Sequence, residues 1–205
     1  MVEQDLFLDS LKIAKVVPLF KDGSKSDLGN YRPISLLPVI GKLFEKIIHR
    51  RIISFFAKHS ILSNRQIGFL SKRSTVDAIL ETFDKIISHR CKETEIHCTL
   101  LDLSKAFDTV DHTILLEKCQ KLGLRGKIYS LLKSYLNNRQ QFVMFKNESS
   151  KLNHISCGVP QGSVVGPLLF LVYINDLPDN PIKNQITQMT KVLSVQWTGQ
   201  STSRI

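Results

Sequence analysis

Cysteine is scarce in this 205-residue sequence: four residues, Cys91, Cys98, Cys119 and Cys157. None forms a CxxC pair and no histidine stands at finger spacing from one, so a zinc site is not expected. Two of the four lie in apolar runs, which suits reduced thiols in an intracellular protein. Long hydrophobic runs are lacking too. The longest, "VVGPLLFLVYI", is too short to span a bilayer and holds a proline. The first residues, "MVEQDLFLDS", are acidic where a secretory leader is basic and then apolar. These absences point to a soluble intracellular chain with no membrane partner, nucleus and cytoplasm both left open. There is no internal repeat and no low-complexity run. The length and apolar content fit one domain, or one and a half, with a real core.

Acid is the other shortage. Eighteen Asp and Glu face 28 Lys and Arg, for a net charge of +10. Residues 1–11 carry three acids and no base, residues 12–73 carry thirteen bases against three acids, and residues 74–205 carry fifteen against twelve. The excess therefore sits between Lys12 and Arg73. Such a block attracts a polyanion, nucleic acid first and an acidic membrane second, although a solvated basic surface has the same composition.

What is there has clear local grammar. "KIAKVVPLFKDGSKSDLGNYRPISLLP" reads as a basic hairpin with "KDGSKSDLGN" at its tip. In "VIGKLFEKIIHRRIISFFAKH" the residues Ile40, Phe44, Ile47, Ile48, Ile52, Phe55 and Phe56 form a helical stripe expected to face inward, with Lys42, Lys46, Arg50 and Arg51 opposite. "STVDAILETFDKIISHR" opens with a capping box, Ser74 and Asp77, and repeats Val76, Ile79, Leu80, Phe83, Ile86 and Ile87 at 3.6-residue period. "IHCTLLDL" reads as a buried strand. "DHTILLEKCQKLG" reads as a helix between an Asp111 N-cap and Gly123, and "GKIYSLLKSYLNN" as another. "QQFVMFK" and "KLNHISC" suit a hairpin across "NESS", and "GVPQGSVVGPLLFLVYIND" a Gly/Pro loop feeding an apolar helix. From Pro178 on the chain loses sustained periodicity, and a frayed or disordered tail is expected there.

One run carries unexpected charge. "CTLLDLSKAFDTV" sets Asp102 inside apolar sequence fit for a sheet interior, with Asp108 six residues on. A lone acid there is costly unless paired, and a metal ion is one partner. On spacing alone a turn or helix-capping Asp is the commoner reading.

Four blocks in order, "NYRPISLLPVIGKLFEKII", "QIGFLSKRSTVDAI", "LLDLSKAFDTVDHTILLEKC" and "GVPQGSVVGPLLFLVYINDLP", resemble the reverse transcriptase of non-long-terminal-repeat retrotransposons, the jockey-like LINE elements. The resemblance covers roughly residues 12–178 and implies an RNA-directed DNA polymerase. Its fold class would be α+β: right-hand fingers and a partial palm, helix-rich with a small antiparallel sheet, the thumb absent. Residues 1–95 would be a fingers-like basic region, 96–177 a partial palm, and 178–205 a disordered or frameshifted tail. Asp102 would be the catalytic carboxylate, binding Mg²⁺ with help from the Leu103 carbonyl. Lys21 and Arg32 would hold the incoming triphosphate, Arg32 by a bidentate fork. Phe107 would be the ring that excludes a ribose 2′-hydroxyl, and Gln161 would touch the nucleotide being added. Gln66, Gly68 and Phe69 would border the template. The implied partners are an RNA template, a DNA primer and a dNTP. Read without the family, Phe107 is a core residue, Gln161 sits in an ordinary turn, and Asp108 and Asp111 are turn and cap residues.

The resemblance also exposes a gap. The family's second acidic pair, in a Tyr/Phe-Ala-Asp-Asp hairpin, should follow "INDLP" closely, yet the tail's only acid is Asp179. At that distance stands "TQMTKV", with Gln188 and Met189 where "ADDTKV" would have its aspartates. A small deletion or frameshift is one origin. A lone carboxylate cannot hold two cations at close separation against their repulsion, so polymerase activity is not expected. Loss of the palm's central hairpin is expected with it. The alternatives are a non-catalytic nucleic-acid-binding module and a pseudogene product without function.

Overall fold

Alternation in "IAKVVPLF" buries Ala14 and Val16 on one face of strand β1 (Ile13–Phe20). A computed structural model describes residues 5–71, 73–91, 103, 105–177, 184–189 and 191–196. They fall into two units, one from Met1–His59 and Lys105–Tyr173, the other from Ser60–Ser104 and Ile174–Ile205.

In the first unit β1 pairs antiparallel with β2 (Tyr31–Leu36), from Lys15↔Leu36 to Phe20↔Tyr31, which is the basic hairpin. Its tip is ordered by local bonds. Asp27 Oδ1 accepts from Gly29 N at 2.8 Å, Asn30 Nδ2 donates to Ser24 O at 3.0 Å, and Tyr31 Oη donates to Lys25 O at 2.9 Å. On its other side β1 pairs with β3 (Gln140–Phe145), over Ile13–Val16 only, and this ladder is parallel. Two short strands, β4 (Glu148–Ser149) and β5 (Asn153–His154), pair antiparallel with β3. The sheet is thus small but mixed, not the antiparallel sheet expected. The reason is topological: a long helical excursion separates β1 from β3, and a crossover of that kind can return a strand in the same direction.

Helix α1 (Val39–Lys58) lies in this unit, with α3 (His112–Lys121), α4 (Lys127–Leu136) and α5 (Gly166–Tyr173). The expected stripe on α1 is rotated. Gly41, Glu45, Ile48, Ile52 and Phe56 are buried, whereas Ile40 and Ile47 are exposed together with Val39 and Leu43. Helix α4 buries Leu131, Leu132, Tyr135 and Leu136, α3 buries Leu115 and Cys119, and α5 is apolar on nearly every side and sunk in the core. The Asp111 cap is present, its Oδ1 accepting from Ile114 N at 2.9 Å, and Gly123 follows α3 at φ +89°. Lys118 Nζ donates at 2.6 Å to the Tyr173 carbonyl at the end of α5, which ties α3 to α5.

The second unit contains α2 (Thr75–Arg90) and an antiparallel pair, β6 (Asn184–Met189) and β7 (Lys191–Gln196). The capping box holds in both directions: Asp77 N donates to Ser74 Oγ at 3.2 Å and Ser74 N to Asp77 Oδ2 at 2.6 Å. The period of α2 is as expected, and the helix is mostly exposed. Ala78 is its only buried residue among those described, and Val76, Ile79, Leu80, Phe83 and Ile87 are exposed. Within the tail, for which a frayed or disordered chain was expected, residues 184–189 and 191–196 form β6 and β7. β-branched residues at Ile186, Thr187, Val192 and Val195 favour strands without needing a helical period. The expected strand "IHCTLLDL" lies outside the described residues except for Leu103. No described helix is long and apolar enough to cross a membrane.

Candidate functional site

The loop after β5 begins in the first unit with Ile155 N donating to Arg139 O at 2.9 Å. It then crosses the segment that precedes α3. Gly158 N donates to Val110 O at 2.7 Å, Val159 N to Phe107 O at 2.8 Å, and His112 Nε2 lies 2.7 Å from Gly158 O. Gly158 is required there: its φ is +87°, and a Cβ would meet the Asp108 carbonyl oxygen at 2.8 Å. The loop next reaches β2, where Ser35 N donates to Gln161 O at 2.7 Å. Two stretches that look independent in the sequence, "FDTVDH" and "GVPQG", are one laced structure.

The lacing leaves a cleft of about 360 Å³ lined by Pro33 and Ser35 of β2, Gln141, Asp108 and residues 154–161. Its polar side chains include the Asp108 carboxyl, the His154 imidazole, Ser35, Gln141 and Gln161, and no lysine or arginine lines it. Without lysine or arginine the wall lacks the side chains that ordinarily hold a phosphate. Burial raises the Asp108 carboxyl above its ordinary range, and the neighbouring Lys105 charge opposes that only in part, although the residue as a whole is exposed.

The sequence-predicted residues divide. Gln161 lines the cleft and is half-buried. Phe107 precedes Asp108 and is half-buried, its ring against Phe170 of α5 at 5.1 Å between centroids and 32° between planes. Lys21 and Arg32 lie towards the hairpin tip: Lys21 N donates to Asn30 O at 2.8 Å, and Arg32 is the cross-strand partner of Leu19. Neither lines the cleft, and neither makes a salt bridge among the described residues. The same holds for Lys15, Lys46 and Arg50, so the basic block of this unit presents cations not neutralised by the described chain. Lys12 is the exception, buried and bonded to Asp9 at 2.8 Å.

In the second unit Gln66 is buried, Gly68 half-buried, and Phe69 exposed at φ +56°. The loop before them is held by Asn175, whose Oδ1 accepts from Ser63 N at 3.0 Å and whose Nδ2 donates to Ile61 O at 3.1 Å. Leu103 is exposed, and Asp102 lies outside the described residues. Among the described residues no group of three or more His, Cys, Asp or Glu side chains could hold a metal ion.

Four residues escaped the sequence reading: Glu45, Tyr135, Arg139 and Asn175. Glu45 had a visible signal, an acid one turn from Gly41 and three residues before Ile48 on an otherwise apolar face. The others had none, because their partners are far away in the chain.

Comparison with known proteins converges on one family. Residues 21–195 match the family model described as reverse transcriptase (RNA-dependent DNA polymerase). The chain is 36% identical over 168 residues to the probable RNA-directed DNA polymerase from transposon X-element of Drosophila melanogaster, covering 82% of this chain and 18% of that protein. It is equally similar to the probable polymerase from transposon BS of the same organism, at 36% over 168 residues, with the same shares of 82% and 18%. To the RNA-directed DNA polymerase from the mobile element jockey of Drosophila melanogaster it is 31% identical over 173 residues, 84% of this chain and 19% of the relative. The chain thus spans less than a fifth of the length of these curated relatives. With the family matched over most of its length and the four motifs in order, the chain belongs to the reverse transcriptases of non-long-terminal-repeat, jockey-like retrotransposons.

Proposed function

We propose that the chain is a fingers-and-palm portion of a retrotransposon RNA-directed DNA polymerase that has lost its chemical step while keeping surfaces for its substrates. Those substrates are an RNA template, a DNA primer and a dNTP. Arg32 and Lys21 would take the triphosphate, whose charge suits the unneutralised cations of the hairpin. Gln161 at the cleft and Phe107 next to its Asp108 would meet the base and sugar, and Gln66, Gly68 and Phe69 would border the template. Asp102 would be the remaining catalytic carboxylate, with the Leu103 carbonyl beside it.

The observation that carries the loss is the pair Gln188–Met189. The family uses divalent metal ions, and Mg²⁺ demands hard oxygen donors, carboxylates above all. At the end of β6 this chain offers an amide and a thioether instead. Asp111 is committed to capping α3, and the Asp108 carboxyl is held above its ordinary range with no cation close enough to reverse that. These donors do not fit a pair of ions. The family match continues to residue 195, beyond Gln188 and Met189, which favours loss of the two acids in place over a change of reading frame from Pro178 on.

Primer extension on an RNA template with Mg²⁺ tests the proposal. The native chain is expected to give no product, and Gln188→Asp with Met189→Asp to give measurable extension. Product from the native chain would refute the loss. A second reading, a non-catalytic nucleic-acid binder, is favoured by the basic side chains without salt bridges. It predicts sequence-blind RNA retention that falls steeply with salt, each neutralised phosphate adding about −0.7 to the logarithmic slope on single strands. Absence of retention at low salt would leave the pseudogene reading.

A further inference from the structure

We propose that Glu45 is a positioning residue that sets the Gln161 loop, acting from the buried face of α1 through the backbone of Val164. The proposal rests on the reading of Gln161 as a nucleotide-contacting residue.

Glu45 is 1% exposed, on the same face of α1 as Ile48, Ile52 and Phe56. An apolar side chain there would continue the stripe, whereas a buried carboxylate carries a heavy desolvation cost unless its oxygens are bonded. Both are bonded. Oε1 accepts from Tyr135 Oη of α4 at 2.9 Å, and Oε2 accepts from the backbone N–H of Val164. Burial holds the Tyr135 hydroxyl well above its usual range, so it stays protonated and remains a donor.

Val164 is the point where the loop hands over to α5. Between Ile155 and Val164 the loop is fixed by the Arg139, Val110 and Phe107 carbonyls at its start and by Ser35 N in its middle. Near its end Ser163 Oγ donates to Pro160 O at 2.9 Å and accepts from Gly166 N at 3.0 Å, bonds internal to the turn. The Glu45 bond instead ties the end of the turn to α1, 119 residues away in sequence, as the Ser35 bond ties its middle to β2. Gln161 lies three residues before that anchor.

The second charge in the network has a matching place. Arg139 is fully buried at the start of β3, with its guanidinium 4.7 Å from the Tyr135 ring centroid and Nη1 donating to Tyr135 O at 3.2 Å. Its Nε and Nη2 have no hydrogen-bond partner among the described residues. Glu45 and Arg139 therefore flank Tyr135 as opposite charges without a direct salt bridge, each lowering the cost of burying the other. The arrangement bonds Glu45 outward to the loop instead of inward to the arginine.

The test has two arms on the full chain. In the first, backbone amide exchange is followed in native protein and in Glu45→Gln. Exchange in residues 158–166 is expected to rise about tenfold while amides of α3 and α4 keep their protection, since local opening is set by local contacts. An unchanged loop, or a rise shared equally by all helices of the unit, overturns the proposal. Should Glu45→Gln fail to fold, Tyr135→Phe keeps the ring and removes the hydroxyl that donates to the carboxylate and also meets the Ser163 side chain of the loop. It is expected to give a smaller rise confined to the same loop, and a rise spread over the unit, or none, is again fatal. In the second arm, Glu45→Gln is placed in the background with Gln188→Asp and Met189→Asp. There it is expected to raise KM for dNTP several-fold and leave kcat nearly unchanged; a fall in kcat at constant KM refutes positioning. If that background extends no primer, the catalytic reading fails, and the exchange arm still decides whether Glu45 sets the loop.

Discussion

Gly162→Ala measures how tightly the candidate nucleotide loop is seated on β2. Gly162 has φ +123°, and a Cβ there would lie 2.6 Å from the Ser35 carbonyl oxygen, about 0.8 Å inside ordinary contact. The obstacle is backbone within a paired strand and cannot rotate away. An L-residue held at that φ costs roughly 1–3 kcal/mol. Moving the loop off β2 would break the Ser35 N to Gln161 O bond, worth about 1 kcal/mol net. The expected loss is about 2–4 kcal/mol, which lowers Tm by roughly 5–15 °C in a chain of this size. Gly126→Ala is the control: φ is +60° but nothing lies within 4 Å of the point a Cβ would occupy, so only strain is introduced. Thermal and urea unfolding of both variants read the difference, and dNTP-dependent protection of the loop reads its displacement. Gly162→Ala within about 0.5 kcal/mol of native, the range typical of an inconsequential surface change, would refute the seating.

Four further outcomes follow from other contacts. Ser74→Ala should destabilise α2 by about 1 kcal/mol through loss of the N-cap, visible as faster exchange of its first turn. Hydrogen bonds from Ser74 hold the Asp77 carboxyl below its usual range, so its share of that cap is present at neutral pH and lost as pH falls through the folded pKa; an acid-insensitive first turn would contradict this. Asp108 runs the opposite way. Burial raises its pKa, so the protonated form favours folding and that contribution is lost as pH rises through the folded value. Asp108→Asn should therefore stabilise at neutral pH and give no advantage in acid, as pH-dependent denaturation would read. Burial pushes the Cys119 thiol up to about 12, so a thiol reagent at mildly alkaline pH should label the exposed Cys91 and Cys157 first and Cys119 only on unfolding.

The sequence alone determined what depends on near neighbours. The β1–β2 hairpin, the Ser74–Asp77 capping box, the Asp111 cap and the extent of α2 all rest on spacings of a few residues and are legible in one pass. The order of the motifs likewise identified the family before any contact was known. Tertiary structure alone decided which face of α1 is inside, because Glu45 is buried only where Tyr135 and Val164, 90 and 119 residues away, supply donors. It decided that β1 and β3 run parallel, since no local pattern encodes the direction in which a chain returns from a long excursion. It paired β6 with β7, where a composition without helical period had suggested disorder. It also assembled the cleft, for Ser35, Asp108 and Gln161 share a wall only after three distant segments exchange backbone hydrogen bonds. Local propensities act over a turn or a strand pair, whereas burial and long-range hydrogen bonds exist only once the whole chain has closed on itself.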